Sequence, residues 1–222
     1  MPFTQDQFFG VFAAYNAAIW PLQLLAYLLG VVAVGLTFWR SKVATILISV
    51  ILALMWLVNG VAYHWSFFAE INPVARGFGI LFVVQALLLI CAPFVATFYR
   101  IEARRDARTV FGIGLVGFAA FVYPALGWLA GHAYPAVPVF GVAPCPTTIF
   151  TIGILLLGTW KVARWLLIIP AIWALIGGSA AVLLNVPQDY GLIAALLVAI
   201  SFAIAVARGA PVAKHGDFKS TH

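Results

Sequence analysis

Charged residues are scarce in this sequence. Only 8% of the 222 residues are Asp, Glu, Lys or Arg, whereas 65% are hydrophobic, and the mean hydropathy is +1.10. Soluble domains carry about 25% charged and about 45 to 50% apolar residues, so an ordinary soluble protein is excluded and lipid is the expected surrounding. A spanning helix needs about 20 apolar residues, so seven helices and their short loops use up the chain. No soluble catalytic domain fits beside them, and we expect no enzyme activity.

Cysteine is also rare. Cys91 and Cys145 are the two cysteines, and they lie in different segments without a CxxC spacing. Neither a disulfide framework nor a thiol redox pair is indicated. Basic residues outnumber acidic ones, and the net charge is +6. The positions of the basic residues along the chain indicate the membrane topology. Nucleic acid is therefore not an expected partner.

The first residues predict a short helix of their own. They lack a basic region before a short apolar core, so a cleaved signal peptide is not expected. The sequence TQDQ, Thr4 to Gln7, fits a helix capping box, and Phe8, Phe12 and Tyr15 share one face of the following helix. Residues 1–16 therefore lie in the membrane interface or, equally well, lengthen the first spanning helix.

The chain is predicted to be an all-α polytopic membrane protein with seven transmembrane helices in residues 17–207. The runs lack the alternating pattern of barrel strands. The expected spans are 17–39, 43–64, 77–99, 109–130, 146–160, 164–185 and 191–207. A basic tail, residues 208–222, is expected to be cytoplasmic and disordered.

Lys and Arg orient these spans. The basic residues follow the odd-numbered spans, and Arg76 is the single exception. By the positive-inside rule the N-terminus is outside and the C-terminus inside, as in a bacterial inner-membrane protein with a periplasmic N-terminus. The rule also favours a crossing for the short fifth span: if it turned back, Lys161, Arg164 and the basic tail would face outside.

A faint internal repeat relates the first three spans to the last three. MWLVNG (Met55 to Gly60) resembles IWALIG (Ile172 to Gly177), and EINPVARGFG (from Glu70) parallels LNVPQDYG (from Leu184). Both triplets start outside, which gives a parallel 3+1+3 repeat. This arrangement of helices resembles that of SWEET-type sugar transporters and PnuC-type vitamin transporters. The signature sequences of those two families are not matched well here.

Three segments carry a closer resemblance that extends over essentially the whole chain. They are FTQDQFFGVFAAYNAAIWPLQ near the start, FFAEINP (Phe67 to Pro73) and GVAPCPTTIFTIGILLL (Gly141 to Leu157). The chain resembles a family of bacterial multi-pass membrane proteins known only as a domain of unknown function. The resemblance implies topology and boundaries, and it brings no activity.

Polar side chains inside the spans are few, and most fall in the outer half. Asn59 and Gln85 either hydrogen-bond between helices or line a solute path. Pro144 and Pro146 flank Cys145 where the fifth span begins; this is either ordinary helix initiation or an irregular entrance at which Thr147 and Thr148 bind a polar group. The predicted solute-binding residues are Asn59, Gln85, Pro146, Thr147 and Thr148.

Four residues that are predicted to lie on the outer side could form a metal site: His64, Glu70, His132 and Cys145. The only evidence for this site is that all four lie on the same side. Imidazole and thiolate suit copper or zinc, but no pair has ligand spacing on one helix, and ordinary interfacial histidines are the simpler explanation. Glu70 and Asp189 are expected to be solvated acids in outer loops. A retinal protein is excluded because the last span has no lysine for a Schiff base.

Two functions remain open. The first is a transporter or channel for a small polar solute or ion, with its site in the outer half of the bundle. The second is a non-transporting membrane subunit or scaffold that binds a partner, lipid, quinone or metal at the outer face. No resident cofactor is predicted, and the expected partners are the lipid bilayer, the solute, and a second copy or partner subunit.

Overall fold

The computed structural model describes residues 3–208, and this part of the chain is helical apart from turns, loops and one isolated bridge between Ile101 and Gly158. The ten α-helices are α1 (Gln5–Ala18), α2 (Leu22–Leu36), α3 (Lys42–Val58), α4 (Ala75–Val95), α5 (Ala107–Gly117), α6 (Tyr123–Leu129), α7 (Pro144–Leu156), α8 (Trp160–Leu166), α9 (Ile168–Leu184) and α10 (Tyr190–Ala207). The predicted all-α class is confirmed. The basic tail lies outside the described residues, apart from Arg208.

Two long helices contain wider π-helical turns. Asn59–Phe67 continues α3 and is followed by the 3-10 turn Phe68–Glu70, while Phe118–Val122 joins α5 to α6. A second 3-10 turn, Pro187–Asp189, precedes α10. π-helical turns are rare and often occur at functional sites.

Four of the described helical stretches are long and apolar enough to cross a membrane: Lys42–Glu70, Ala75–Val95, Ala107–Leu129 and Pro187–Ala207. Two bent pairs, α1 with α2 at 86° and α8 with α9 at 42°, raise the number to six if each is one span. At 13 residues, α7 is about 20 Å long, shorter than the roughly 30 Å hydrocarbon core.

The first helix confirms the capping box. The Thr4 hydroxyl accepts from the Gln7 backbone N–H, and the Gln7 side chain accepts from the Thr4 N–H. Phe8, Phe12 and Tyr15 are buried on one face, as the pattern predicts. The chain bends by 86° between α1 and α2, so α1 is a separate helix and is not a straight continuation of α2. Its apolar face packs against protein.

Hydrogen bonds join the turns at each of the two ends of the bundle. At the basic end, the Thr37 carbonyl accepts from Ala103 N–H at 2.8 Å, and the Arg100 carbonyl accepts from Thr159 N–H at 2.8 Å. At the other end, here called the α1 end, Tyr15 and Asn16 of α1 bond to the loop between α6 and α7. The turns at the basic end carry Arg40, Arg100 and Arg104.

The centre of the bundle is α7, whose 13 residues are all buried. Helices α3, α5, α8, α9 and α10 surround it. Gly112 of α5 and Gly153 of α7 let these two backbones touch: a Cβ on Gly112 would lie 2.6 Å from the Gly153 carbonyl oxygen. Because protein covers it on every side, α7 has no need to match the thickness of a bilayer.

Two tryptophans at equivalent positions of the suggested repeat meet on one ring. Trp56 of α3 and Trp173 of α9 pack against Phe82 of α4, with ring centroids 4.3 and 5.1 Å away. Gly60 and Gly177, four residues after each tryptophan, both lie at close helix contacts. The suggested repeat stays a prediction.

Candidate functional site

A cavity of about 190 Å³ lies at the α1 end, among α1, the π-helical part of α3, and the ends of α4, α7 and α9. Seven of its sixteen lining residues are aromatic. The aromatic residues that line it are Phe3, Phe8, Phe12, Tyr63, Phe68, Phe78 and Trp173. On the α9 side the lining includes Ile176, Ala180 and the exposed Ser179, so the cavity reaches the surface there.

Helix α1 forms the roof of this cavity, and side-chain hydrogen bonds hold it in place. The Tyr15 hydroxyl donates to the Val142 carbonyl at 2.9 Å, and the Gln5 amide donates to the Leu184 carbonyl at 2.9 Å. The Asn16 amide donates to the carbonyls of both Pro135 and Val137, at 2.7 and 2.8 Å. The loop between α6 and α7 and the end of α9 thereby fix one short helix.

Asp189 lines the cavity and is only 2% exposed. The Tyr123 hydroxyl donates a hydrogen bond to its carboxylate, and the Cys145 thiol lies beside it. Within residues 3–208 the carboxylate forms no salt bridge. Burying a carboxylate is costly unless it is paired, so this group is the strongest polar feature of the cavity.

The expectation of a solvated Asp189 is therefore wrong. The turn that carries it packs inward: the neighbouring Gln188 is fully buried, and its side-chain amide lies against Gly127 of α6. Where water was expected to solvate the acid, α6 and α7 cover it. Glu70, by contrast, is exposed as predicted.

The proline-flanked start of α7 forms the base of the cavity, with Pro144 and Cys145 in its lining. Pro144 is the first helical residue, and Ala143 before it is extended, with φ −111° and ψ 144°. Both prolines thus occupy the first turn, where the N–H groups that they lack would have no partner within the helix. Ordinary helix initiation explains the backbone, and the cavity lies directly at this helix start.

Below the cavity, two buried hydrogen bonds join α3 to α7. The Asn59 amide donates to the Thr147 hydroxyl at 3.2 Å, and also to the Met55 carbonyl at 2.7 Å. One turn further, the Trp56 indole N–H donates to the Thr151 hydroxyl at 2.8 Å. The structure therefore brings together two of the predicted solute-binding residues, Asn59 and Thr147, as partners across a helix contact.

The other predicted polar residues lie apart from that pair. Thr148 is fully buried, and its hydroxyl has no hydrogen-bond partner among the described residues. Gln85 donates to the Leu166 carbonyl of α8 at 3.0 Å, but its side-chain oxygen, like that of Asn59, is buried without a partner in this part of the chain. Thr148, Gln85 and Asn59 are thus three of the side chains there whose oxygens are buried and unpaired. Pro146 belongs to the buried first turn of α7.

The suggested metal ligands do not converge. No group of three His, Cys, Asp or Glu side chains within residues 3–208 is placed to hold a metal ion. His64 is buried among the rings of Tyr63, Phe82 and Trp173. His132 stacks on Phe9 with ring centroids 3.9 Å apart, and partial burial lowers the pKa of its imidazole.

Sequence reasoning missed Asp189, Tyr123 and Trp173 as parts of one site. A signal was present, because Asp189 is the single acid between Asp106 and Asp217 in the whole sequence. An isolated acidic residue among apolar helices usually has a functional role. Its burial depends on the turn folding against α6, which no local pattern encodes.

Comparison with protein families places the chain in a described family. A family model described as "Family of unknown function (DUF6064)" matches residues 5–214. No curated protein and no solved structure matches the chain.

Proposed function

The chain belongs to the DUF6064 family, and we propose that it is a membrane protein that binds a small solute in the cavity beneath α1 and carries it across the bilayer. The observation that carries this proposal is the cavity itself, which combines aromatic walls with one buried carboxylate. Pockets that are mostly apolar with a few converging polar groups are the usual form of small-molecule sites.

The proposed orientation places the α1 end outside and the basic end in the cytoplasm of a bacterial cell. The turns at the basic end carry Arg40, Lys42, Arg100, Arg104, Arg105, Lys161 and Arg164, whereas Arg76 is the one Lys or Arg at the described turns of the α1 end. This asymmetry supports seven crossings with α7 as the fifth. The cavity then faces the periplasm.

A route from the cavity towards the basic end would pass α7. Thr148 lies one turn beyond Cys145, and the unpaired oxygens of Thr148 and Asn59 are acceptors that a passing polar group can use. Breaking the Asn59–Thr147 hydrogen bond would open the contact between α3 and α7 at this level. We propose these residues, with Pro146 and Gln85, as the inner part of the path.

A blocked cavity tests the proposal. Ala180 lines the cavity, so Ala180→Phe places a ring inside it, whereas Leu175→Phe changes an exposed position of the same helix. Osmotic swelling of proteoliposomes would be followed by light scattering with glycerol, potassium acetate or tetramethylammonium chloride outside. We expect at least one solute to enter wild-type vesicles faster than protein-free vesicles, and Ala180→Phe, but not Leu175→Phe, to slow it.

If wild-type and protein-free vesicles swell equally fast with all three solutes, transport of this kind of solute is refuted. If Ala180→Phe is as fast as the wild type, the cavity is not on the route.

The second candidate is a membrane subunit that holds a ligand without moving it. The packing below the cavity favours it, since every residue of α7 is buried and two interhelical hydrogen bonds close the contact with α3. This candidate predicts a ligand or partner polypeptide that co-purifies in mild detergent and is lost from Ala180→Phe, together with no solute flux. Mass spectrometry of the purified protein distinguishes the two.

A further inference from the structure

The residues that line the cavity favour one class of ligand. Seven aromatic side chains line it, and several already meet edge to face, including Phe8 with Phe12 and Phe78 with Trp173. The face of an aromatic ring carries partial negative charge and attracts a cation placed within about 6 Å of its centre. Rings on several sides of one space are the usual arrangement for quaternary ammonium groups.

The carboxylate adds the matching charge. Asp189 lines the same cavity, is 2% exposed, and forms no salt bridge within residues 3–208. Its described polar neighbours are Tyr123, which donates a hydrogen bond, and the Cys145 thiol. A buried carboxylate without a counter-ion is unfavourable, and a cation in the cavity would supply one.

From this arrangement we infer that the cavity binds an organic cation, a quaternary ammonium or substituted amine, with its apolar groups against the rings and its charge beside Asp189. The inference rests on the proposed function and names its class of solute. A bare metal cation fits less well, because hard cations take six or more oxygen ligands and soft ones take several thiolates or imidazoles. No such cluster exists in the described part of the chain.

Size and access agree with this class. A volume of about 190 Å³ accommodates a small alkylammonium ion. The opening beside Ile176, Ser179 and Ala180 lies on an outward face of α9 next to exposed apolar residues, among them Leu175 and Val182. An amphiphilic cation can therefore approach from the membrane surface.

Binding of two isosteric probes tests the inference. (2-Hydroxyethyl)trimethylammonium and 3,3-dimethylbutan-1-ol have the same shape and differ in charge. Calorimetry on the purified full-length protein in detergent would measure both, with Asp189→Asn as the test variant and Glu70→Gln as the control at an exposed acid. We expect the wild type to bind the cation at least about tenfold more tightly than the alcohol.

Asp189→Asn should lower the affinity for the cation at least about tenfold, without changing that for the alcohol, and Glu70→Gln should change neither. Two further variants, Trp173→Phe and Trp173→Leu, test cation binding even if Asp189→Asn does not fold. Phe keeps a ring in the wall and should retain cation binding, whereas Leu should weaken it several-fold.

Equal affinities for the two probes in the wild type, or unchanged cation binding in Asp189→Asn, would overturn the inference. If Ala180→Phe then abolishes binding of the alcohol, the cavity remains a solute site and only the choice of a cation is wrong. If the folded wild type binds neither probe, the inference fails; the swelling assay then decides separately whether the proposed function fails with it.

Discussion

The indole N–H of Trp56 donates a 2.8 Å hydrogen bond to the hydroxyl of Thr151, and both side chains are buried where α3 crosses α7. One turn towards the cavity, Asn59 and Thr147 form a second hydrogen bond between the same helices. Apolar packing gives little selectivity between helices in lipid, so such bonds help to fix which faces meet. The short central helix is held in register by this pair of contacts.

Removing the deeper bond should destabilise the protein measurably. Thr151→Val keeps the shape of the side chain but leaves the Trp56 N–H unpaired, and we expect a loss of about 0.6 to 2 kcal/mol in the free energy of unfolding. Thr148→Val is the matched control, because the Thr148 hydroxyl has no partner in the described residues. Titration with a denaturing detergent measures both variants, and an equal effect on the two would contradict this account.

The glycine contact between α5 and α7 gives a second prediction. A methyl group on Gly112 would meet the Gly153 carbonyl and a Leu157 side chain, so Gly112→Ala should push the helices apart and cost about 1 to 3 kcal/mol. Two residues along the same helix, Gly114 has open space around its Cβ position. Gly114→Ala should be neutral or slightly stabilising, because alanine favours helix. Thermal unfolding in detergent compares the two, and a stable Gly112→Ala would refute the close contact.

The roof helix should loosen when its hydrogen bond to the α6–α7 loop is removed. Tyr15→Phe leaves the buried Val142 carbonyl without its partner, at a cost of about 1 to 3 kcal/mol. Hydrogen–deuterium exchange should become faster in α1 and around Val142, and remain unchanged in α5. Tyr134→Phe, at an exposed tyrosine of the same loop, serves as the control. Unchanged exchange in Tyr15→Phe would show that α1 is held by other contacts.

Accessibility labelling tests the proposed orientation. In a Cys91→Ala background, Glu70→Cys and Arg104→Cys place single reactive thiols at the two ends, since the remaining Cys145 is buried. In intact cells we expect an impermeant maleimide to label Glu70→Cys, and to label Arg104→Cys only after permeabilisation. The background protein alone controls for Cys145. Labelling of both sites in intact cells would rule out the proposed topology.

Local signals in the sequence predicted some of these features well. The capping box, the buried face of Phe8 and Tyr15, and the start of α7 at its proline pair follow from rules that act within one helical turn. The wide turns at Asn59–Phe67 and the burial of Asp189 could not be predicted in this way. They depend on packing between segments distant in sequence, such as the turn before α10 and α6. None of the five predicted solute-binding residues therefore lines the cavity, and its carboxylate was missed.

The complete burial of α7 has a consequence for biogenesis. Its neighbours include α3 and α5, which emerge from the ribosome before it, and α9 and α10, which emerge after it. A 13-residue helix that contains three threonines, Thr147, Thr148 and Thr151, is a poor substrate for release into lipid on its own. In the proposed membrane topology, α7 must therefore be sheltered, within the translocon or against the earlier helices, until synthesis of the last two helices closes its remaining sides.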